Sequence, residues 1–233
     1  MFKKARTDIQ RELGLLVNDH RVEVVGHSVY FRAGEHQPTQ QGQPAITWRT
    51  VSGGCAEELI KITKASATEE KEAGFPTIYL LALFQNSIVH DPDLDKPKVT
   101  TYLQDIIHFF SVDQDNYHRV AFINVLPCPE LVFLGHSEKI DMINQLLDEN
   151  NVAAGQRRCD PGKTLEKRKK ALRNIKDQYG ENTGDKVKTK RHIVQNKNWR
   201  EHNRGYGPGY HPDKDGMQKV VNYIRNWVLN FSF

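Results

Sequence analysis

The chain has only three cysteines, Cys55, Cys128 and Cys159, an odd number that forms no C-x-x-C pair. That excludes a disulfide framework, offers no zinc spacing and fits a reducing compartment. Its ten histidines follow neither H-x-x-x-H nor H-E-x-x-H spacing, so no metal centre and no cofactor is expected. The acidic run Asp91-Pro92-Asp93-Leu94-Asp95 lacks the glycine and distal glutamate of a calcium-binding loop and reads as an exposed turn. Long apolar runs are missing as well. The longest, Ile78 to Phe84, is far too short to span a bilayer. The first eight residues carry charge too densely for a signal peptide, which places the expected location inside the cell, in cytoplasm or nucleus. No internal repeat or low-complexity tract is present.

What the chain does have is 233 residues with 38% hydrophobic and 9% aromatic content, enough for one α/β domain with a substantial core. Hydrophobic periodicity predicts an opening amphipathic helix over residues 4–17, with Ile9, Leu13, Leu16 and Val17 on one face. Strands are predicted at 21–25, 45–51, 77–84 and 118–126. The third and fourth are nearly all apolar, as strands buried on both faces would be. Helices are predicted at 56–65, ending before the acidic patch Glu69-Glu70-Lys71-Glu72, and at 100–110, 137–149 and 163–179. A last strand is expected at 190–195. A closing helix carries Met217, Val220, Val221, Ile224, Trp227 and Val228, with Asp213 and Asp215 as N-cap candidates. Strands alternating with helices imply a mainly parallel sheet whose ligand crevice lies at the carboxyl ends of the strands.

Four segments fall at or after those ends. Val-Glu-Val-Val-Gly26-His27-Ser28 runs from a strand into a tight turn that exposes a serine. Val51-Ser52-Gly53-Gly54-Cys55 follows the second strand, and Phe84-Gln85-Asn86-Ser87 the third. Tyr210-His211-Pro212-Asp213 lies near the C-terminus. A hydroxyl is a poor nucleophile at neutral pH unless an imidazole within hydrogen-bond reach takes its proton, and Ser28 with His211 is a candidate pair. His27 and His36, close to Ser28 in sequence, are alternative imidazoles, with a rim role the commoner fate.

In this order the four segments resemble the blocks of the SGNH (GDSL-type) hydrolase family over roughly residues 20–233. The resemblance implies a three-layer α/β/α fold of flavodoxin-like topology. It also implies a single domain over residues 1–233, with a basic insertion at about 155–204. It further implies Ser28 as nucleophile, His211 as base, and an oxyanion site made by the Ser28 N–H, the Gly53 N–H and the Asn86 side chain, acting on a small ester or acyl substrate. The blocks also depart from the family pattern. Gly26-His27-Ser28 stands for Gly-Asp-Ser, Gln85-Asn86-Ser87 for x-Asn-Asp, and Pro208 occupies the place of the aspartate that orients the histidine. In the analogous serine-protease triad, losing that carboxylate lowers the rate by about 10⁴.

Charge is divided unevenly. Residues 1–150 hold 14 Lys and Arg against 21 Asp and Glu, net −7, whereas residues 151–233 hold 19 against 8, net +11. Arg157, Arg158, Lys167, Arg168, Lys169, Lys170, Lys190, Arg191 and Arg200, with Trp199 available for base stacking, form the kind of cationic run that neutralises phosphates. The blander reading is a solvated lysine-rich face. Two functions therefore stand. One is a serine esterase with a reduced Ser28–His211 site. The other is a noncatalytic module that binds RNA or another polyanion, resembling the degenerate SGNH domain of the insect protein Oskar. SGNH-like domains also occur in mobile-element proteins, which suits either.

Overall fold

A computed structural model describes residues 7–10, 16–30, 44–126, 128, 131–132, 134–165, 212 and 214–233. Its centre is a sheet of five strands, β1 (Thr7–Gln10), β2 (Arg21–His27), β3 (Ile46–Val51), β4 (Thr77–Leu81) and β5 (Arg119–Phe122), in the order β1-β3-β2-β4-β5. β3, β2, β4 and β5 are parallel, and β1 adds antiparallel to the β3 edge. The helices are α1 (Ala56–Glu72), α2 (Ser87–His90), α3 (Lys96–His108), α4 (Ser137–Ala153) and α5 (Lys214–Val228). This is the α/β architecture expected from the alternating pattern.

The parallel strands are apolar because helices cover the sheet on both faces. Val22, Val24, Val25, Ile78, Leu80, Leu81, Ala121 and Phe122 are all buried. α5 buries the face read from the sequence, through Met217, Val220, Val221, Ile224, Trp227 and Val228. α3 starts where its own residues dictate: the Asp95 side chain accepts the Lys98 N–H at 2.9 Å, and a proline follows in the first turn. One charged cluster sits inside the fold. Arg49 on β3 donates to both carboxylate oxygens of Glu23 on β2, at 2.6 and 3.3 Å, and the Ser66 hydroxyl of α1 donates to Glu23 at 3.0 Å.

The opening helix is a correction. Thr7–Gln10 is a strand, paired with β3 from Thr7 opposite Val51 to Gln10 opposite Trp48. The helical spacing of Ile9, Leu13, Leu16 and Val17 is a local signal, and the open edge of β3 outweighs it by offering a ladder of unpaired backbone groups. Val17 belongs to a tight reversal instead. Asn18 and Asp19 take positive φ, 46° and 63°, and Val17 and His20 exchange two backbone hydrogen bonds of 3.0 Å each, as in a two-residue hairpin turn.

Several boundaries also differ, β4 for instance ending at Leu81 rather than residue 84, and two of the differences have a specific cause. α1 continues through the acidic patch to Glu72, because Glu70 turns inward and accepts from Arg21 at 2.6 Å. β5 ends at Phe122, four residues short of the expected strand, because side-chain amides replace the backbone ladder. Asn151 pairs with both the N–H and C=O of Phe122, Asn144 with those of Val125, and Gln85 with those of Leu126. A carboxamide presents the same donor and acceptor as a peptide group and satisfies a strand edge in its place. Beside β5, Cys159 forms a single parallel bridge to Ile123. Pro161–Thr164 is a short 3₁₀ turn. The rest of the helix expected at 163–179, and the strand expected at 190–195, lie outside the described residues.

Candidate active site

Because β2, β3 and β4 are parallel, their carboxyl ends share one edge of the sheet, and Ser28, Gly53 and Asn86 lie there. β2 ends at His27, and residues 28–30 enter a helical turn, so Ser28 is the first residue past the strand and half-exposed. The turn is held from both sides. The Val29 N–H donates to Nδ1 of His27 at 3.3 Å, and the His27 ring meets Tyr30 edge-on with centroids 5.4 Å apart. His27 therefore closes the turn, as a short polar side chain accepting from the backbone two residues on commonly does. Its Nδ1 accepts a hydrogen bond in that contact, which assigns the ring to the neutral Nε2–H tautomer. Gly26 leaves little room for a side chain: a Cβ there would lie 3.0 Å from the Tyr30 ring and 3.3 Å from Ala82, so a neighbour would have to shift.

Gly53 follows β3 in an exposed turn with φ of 77°, a conformation that favours glycine. The Gly54 N–H is taken by the Val51 carbonyl at 3.2 Å. Asn86 follows β4, is 4% exposed, and donates its side-chain amide to the Gly54 carbonyl at 3.1 Å. Next to it, the buried Ser87 hydroxyl accepts the Ala56 N–H at 2.8 Å. Cys55, the N-cap residue of α1, makes no side-chain cap bond, so Ser87 satisfies one of the open N–H groups of that first turn from the neighbouring loop. Ser87 thus joins the loop after β4 to the start of α1. Burial pushes the Cys55 thiol up, with a hydrogen bond to Ser87 opposing it, so Cys55 is not a ready thiolate.

His211 lies outside the described residues, as do His36, Lys167, Arg168, Lys169, Lys170, Lys190, Arg191, Trp199 and Arg200. Arg157 and Arg158 are described, and both are exposed between α4 and the 3₁₀ turn. Three features of the site were not legible beforehand: the closing role of His27, the cap from Ser87, and the carboxamide brackets around the chain after β5. Each depends on a partner distant in sequence or on a ring orientation. Among the described residues there is no group of three His, Cys, Asp or Glu side chains arranged to hold a metal ion. No described helix is long and apolar enough to cross a membrane.

No family model and no curated protein matches the sequence. Solved structures do match in fold. A GDSL-like lipase from Bacteroides thetaiotaomicron aligns with a TM-score of 0.59 at 12% identity, covering 93% of this chain and 91% of its own. The chain has an SGNH-like fold. An inferred acylhydrolase from Bacteroides fragilis aligns at 0.58 and 14% identity, over 91% of this chain and 87% of its own. The OSK domain of Drosophila Oskar aligns at 0.50 and 10% identity, over 93% and 94%. In this SGNH-like frame, the edge bearing Ser28, Gly53 and Asn86 is also where doubly wound sheets bind their ligands.

Proposed function

We propose that the protein is an SGNH-like serine hydrolase acting on small acyl esters. The observation that carries this reading is the meeting of three blocks at one sheet edge: Ser28 in a turn closed by His27, and the loops after β3 and β4 joined through Asn86 and Gly54. In this reading Ser28 Oγ attacks the ester carbonyl, and His211 takes its proton and returns it to the leaving alcohol. The oxyanion is met by the N–H groups of Ser28 and Gly53 and by the Asn86 amide. With proline at position 208, the imidazole works without the family's aspartate, so turnover is slow. Residual catalysis by an oxyanion site and substrate binding alone amounts to about 10³–10⁴ over water in the protease case. The test is hydrolysis of p-nitrophenyl acetate together with labelling by a fluorophosphonate. Wild type is expected to turn over and to be labelled, and Ser28→Ala to do neither. Equal turnover by Ser28→Ala removes Ser28 as nucleophile.

A second reading is a noncatalytic module that binds RNA or another polyanion. It is favoured by the net charge of +11 on residues 151–233 and by the exposure of Arg157 and Arg158 on one face with α5.

A further inference from the structure

A cavity of about 490 Å³ lies against the outer strand β5, at the other end of the strands from Ser28. Its walls are fixed by their own contacts. α3 runs on into a wider turn, Phe109–Asp113, in which the Gln114 N–H donates to the Phe109 carbonyl five residues back at 3.0 Å. Such π turns are rare and are frequent at functional sites. This one brings Phe110 and Ser111 to the lining, with Phe110 packed against the rings of Tyr79 and His118. Another wall is residues 231–233, held by Gln156. Its Nε2 donates to the Ser232 carbonyl at 2.6 Å and its Oε1 accepts the Ser232 N–H at 3.1 Å, while the Phe231 and Phe233 rings meet edge-on with centroids 5.4 Å apart. β5 supplies the rest. Because the Ile123 N–H bonds the Leu81 carbonyl of β4, with Leu81 opposite Phe122, the backbone groups of Val120 and Phe122 point away from β4. Asn151 takes both groups of Phe122. Those of Val120 have no hydrogen-bond partner among the described residues. Half-buried Arg119 lines the cavity too, and its Nη1 donates to the Asn116 carbonyl at 2.6 Å. Among the described residues, no carboxylate pairs with Arg119 and none lines the cavity.

We propose that this cavity binds a monocarboxylic acid with an apolar body, of the fatty-acid type. Ile107, Phe110, Val120, Phe122, Phe231 and Phe233 form its apolar lining. A mostly apolar hollow of this size with a few placed polar groups is the usual form of a small-molecule site. One arginine and no lysine in the lining suit a single negative charge. A guanidinium carries five N–H donors in a planar fork; the Asn116 carbonyl takes one of them, which holds the group in place and leaves donors for both oxygens of a carboxylate. The Val120 N–H, on the next residue, is a further donor. A peptide adding as a new strand is excluded, because it would need the Phe122 groups that Asn151 already occupies. The bonds from Gln156 set the 231–233 wall before any ligand arrives, which reduces the ordering cost of binding. The site stands apart from the reading of Ser28 as nucleophile, although an acid of this class is also what hydrolysis of an acyl ester releases.

The experiment is isothermal titration calorimetry of the full chain with hexanoate, octanoate and decanoate below their micelle-forming concentrations, and with octanol as the uncharged counterpart of octanoate. Affinity should rise about fourfold for each methylene added, as the apolar body fills the cavity. Arg119→Ala should weaken octanoate binding about tenfold, the scale of hydrogen bonds to a charged group, and leave octanol unchanged. Arg119→Lys, which keeps the charge without the fork, should lose less. Ala153→Trp, at the exposed end of α4, puts an indole into the cavity and should abolish binding of both ligands. Thermal melting checks that each variant folds, and Ala154→Trp, one residue further along the same lining, replaces Ala153→Trp if that variant does not. Ser28→Ala should bind as wild type does. Loss of binding in Ser28→Ala would place the acid at the other end of the sheet and overturn the proposal. So would octanoate affinity unchanged in Arg119→Ala, binding retained in a folded tryptophan variant, or octanol bound as tightly as octanoate. Failure of wild type to bind any of the three acids overturns it outright.

Discussion

The side-chain amide of Asn86 donates to the carbonyl of Gly54 at 3.1 Å, and through that bond the loop after β4 fixes the position of the loop after β3. Asn86 is therefore a brace between two blocks of the site as well as a candidate oxyanion donor. Asn86→Ala should lower kcat for p-nitrophenyl acetate by about 10²–10³, the scale for losing one such donor. It should also destabilise the fold by about 1–3 kcal/mol, because the Gly54 carbonyl loses its buried donor. A purely structural brace predicts the stability loss with kcat per folded molecule unchanged, so kinetics and thermal melting of the same preparation separate the two roles.

Much of this edge was legible in the sequence because it rests on short-range signals. Apolar runs marked β2, β3 and β4, the first two followed by glycine, and parallel pairing then placed Ser28, Gly53 and Asn86 on one side. Residues 7–10 were not legible: a strand of four residues carries too little pattern of its own, and the open edge of β3 determined its state. The end of β5 was hidden for a related reason. Val125 and Leu126 look like strand by composition, yet their backbone groups are bonded to Asn144 and Gln85, and no local rule reveals a carboxamide that arrives from about 20 or 40 residues away.

The Glu23–Arg49 pair gives a stability prediction. With both residues buried and joined by two hydrogen bonds, removing one partner leaves an uncompensated charge between the sheet and α1. Arg49→Ala should therefore cost about 3–5 kcal/mol. Replacing both residues by apolar ones of similar volume, Glu23→Leu with Arg49→Met, should cost much less than the sum of the single changes, although the Ser66 hydroxyl loses its acceptor. Urea denaturation of wild type, the two single variants and the double variant measures the coupling directly. Additive losses would show that the pair contributes no interaction beyond its separate contacts.

His118 sets a pH dependence on the opposite edge of the sheet. It is 2% exposed, its Nδ1 accepts the Thr77 N–H at 3.1 Å, and its Nε2 lies 2.8 Å from the Ala67 carbonyl, so the ring is held as the neutral Nε2–H tautomer with both nitrogens used. Burial pushes its pKa below the ordinary value of about 6.5, with the hydrogen bond to Ala67 a smaller opposing effect. The unfolded chain therefore binds a proton on this residue at a higher pH than the folded chain does. The stability His118 contributes is fully present above about pH 6.5 and is lost as the pH falls from there toward the folded value. His136 is shifted down by burial as well, with the charge of Lys139 adding to it, and contributes in the same sense. Thermal midpoints measured from pH 8 to pH 5 should fall on the acidic side, and His118→Gln should melt lower at pH 8 yet show a shallower decline below pH 6.5. A decline equally steep in His118→Gln would assign the acid sensitivity to other groups.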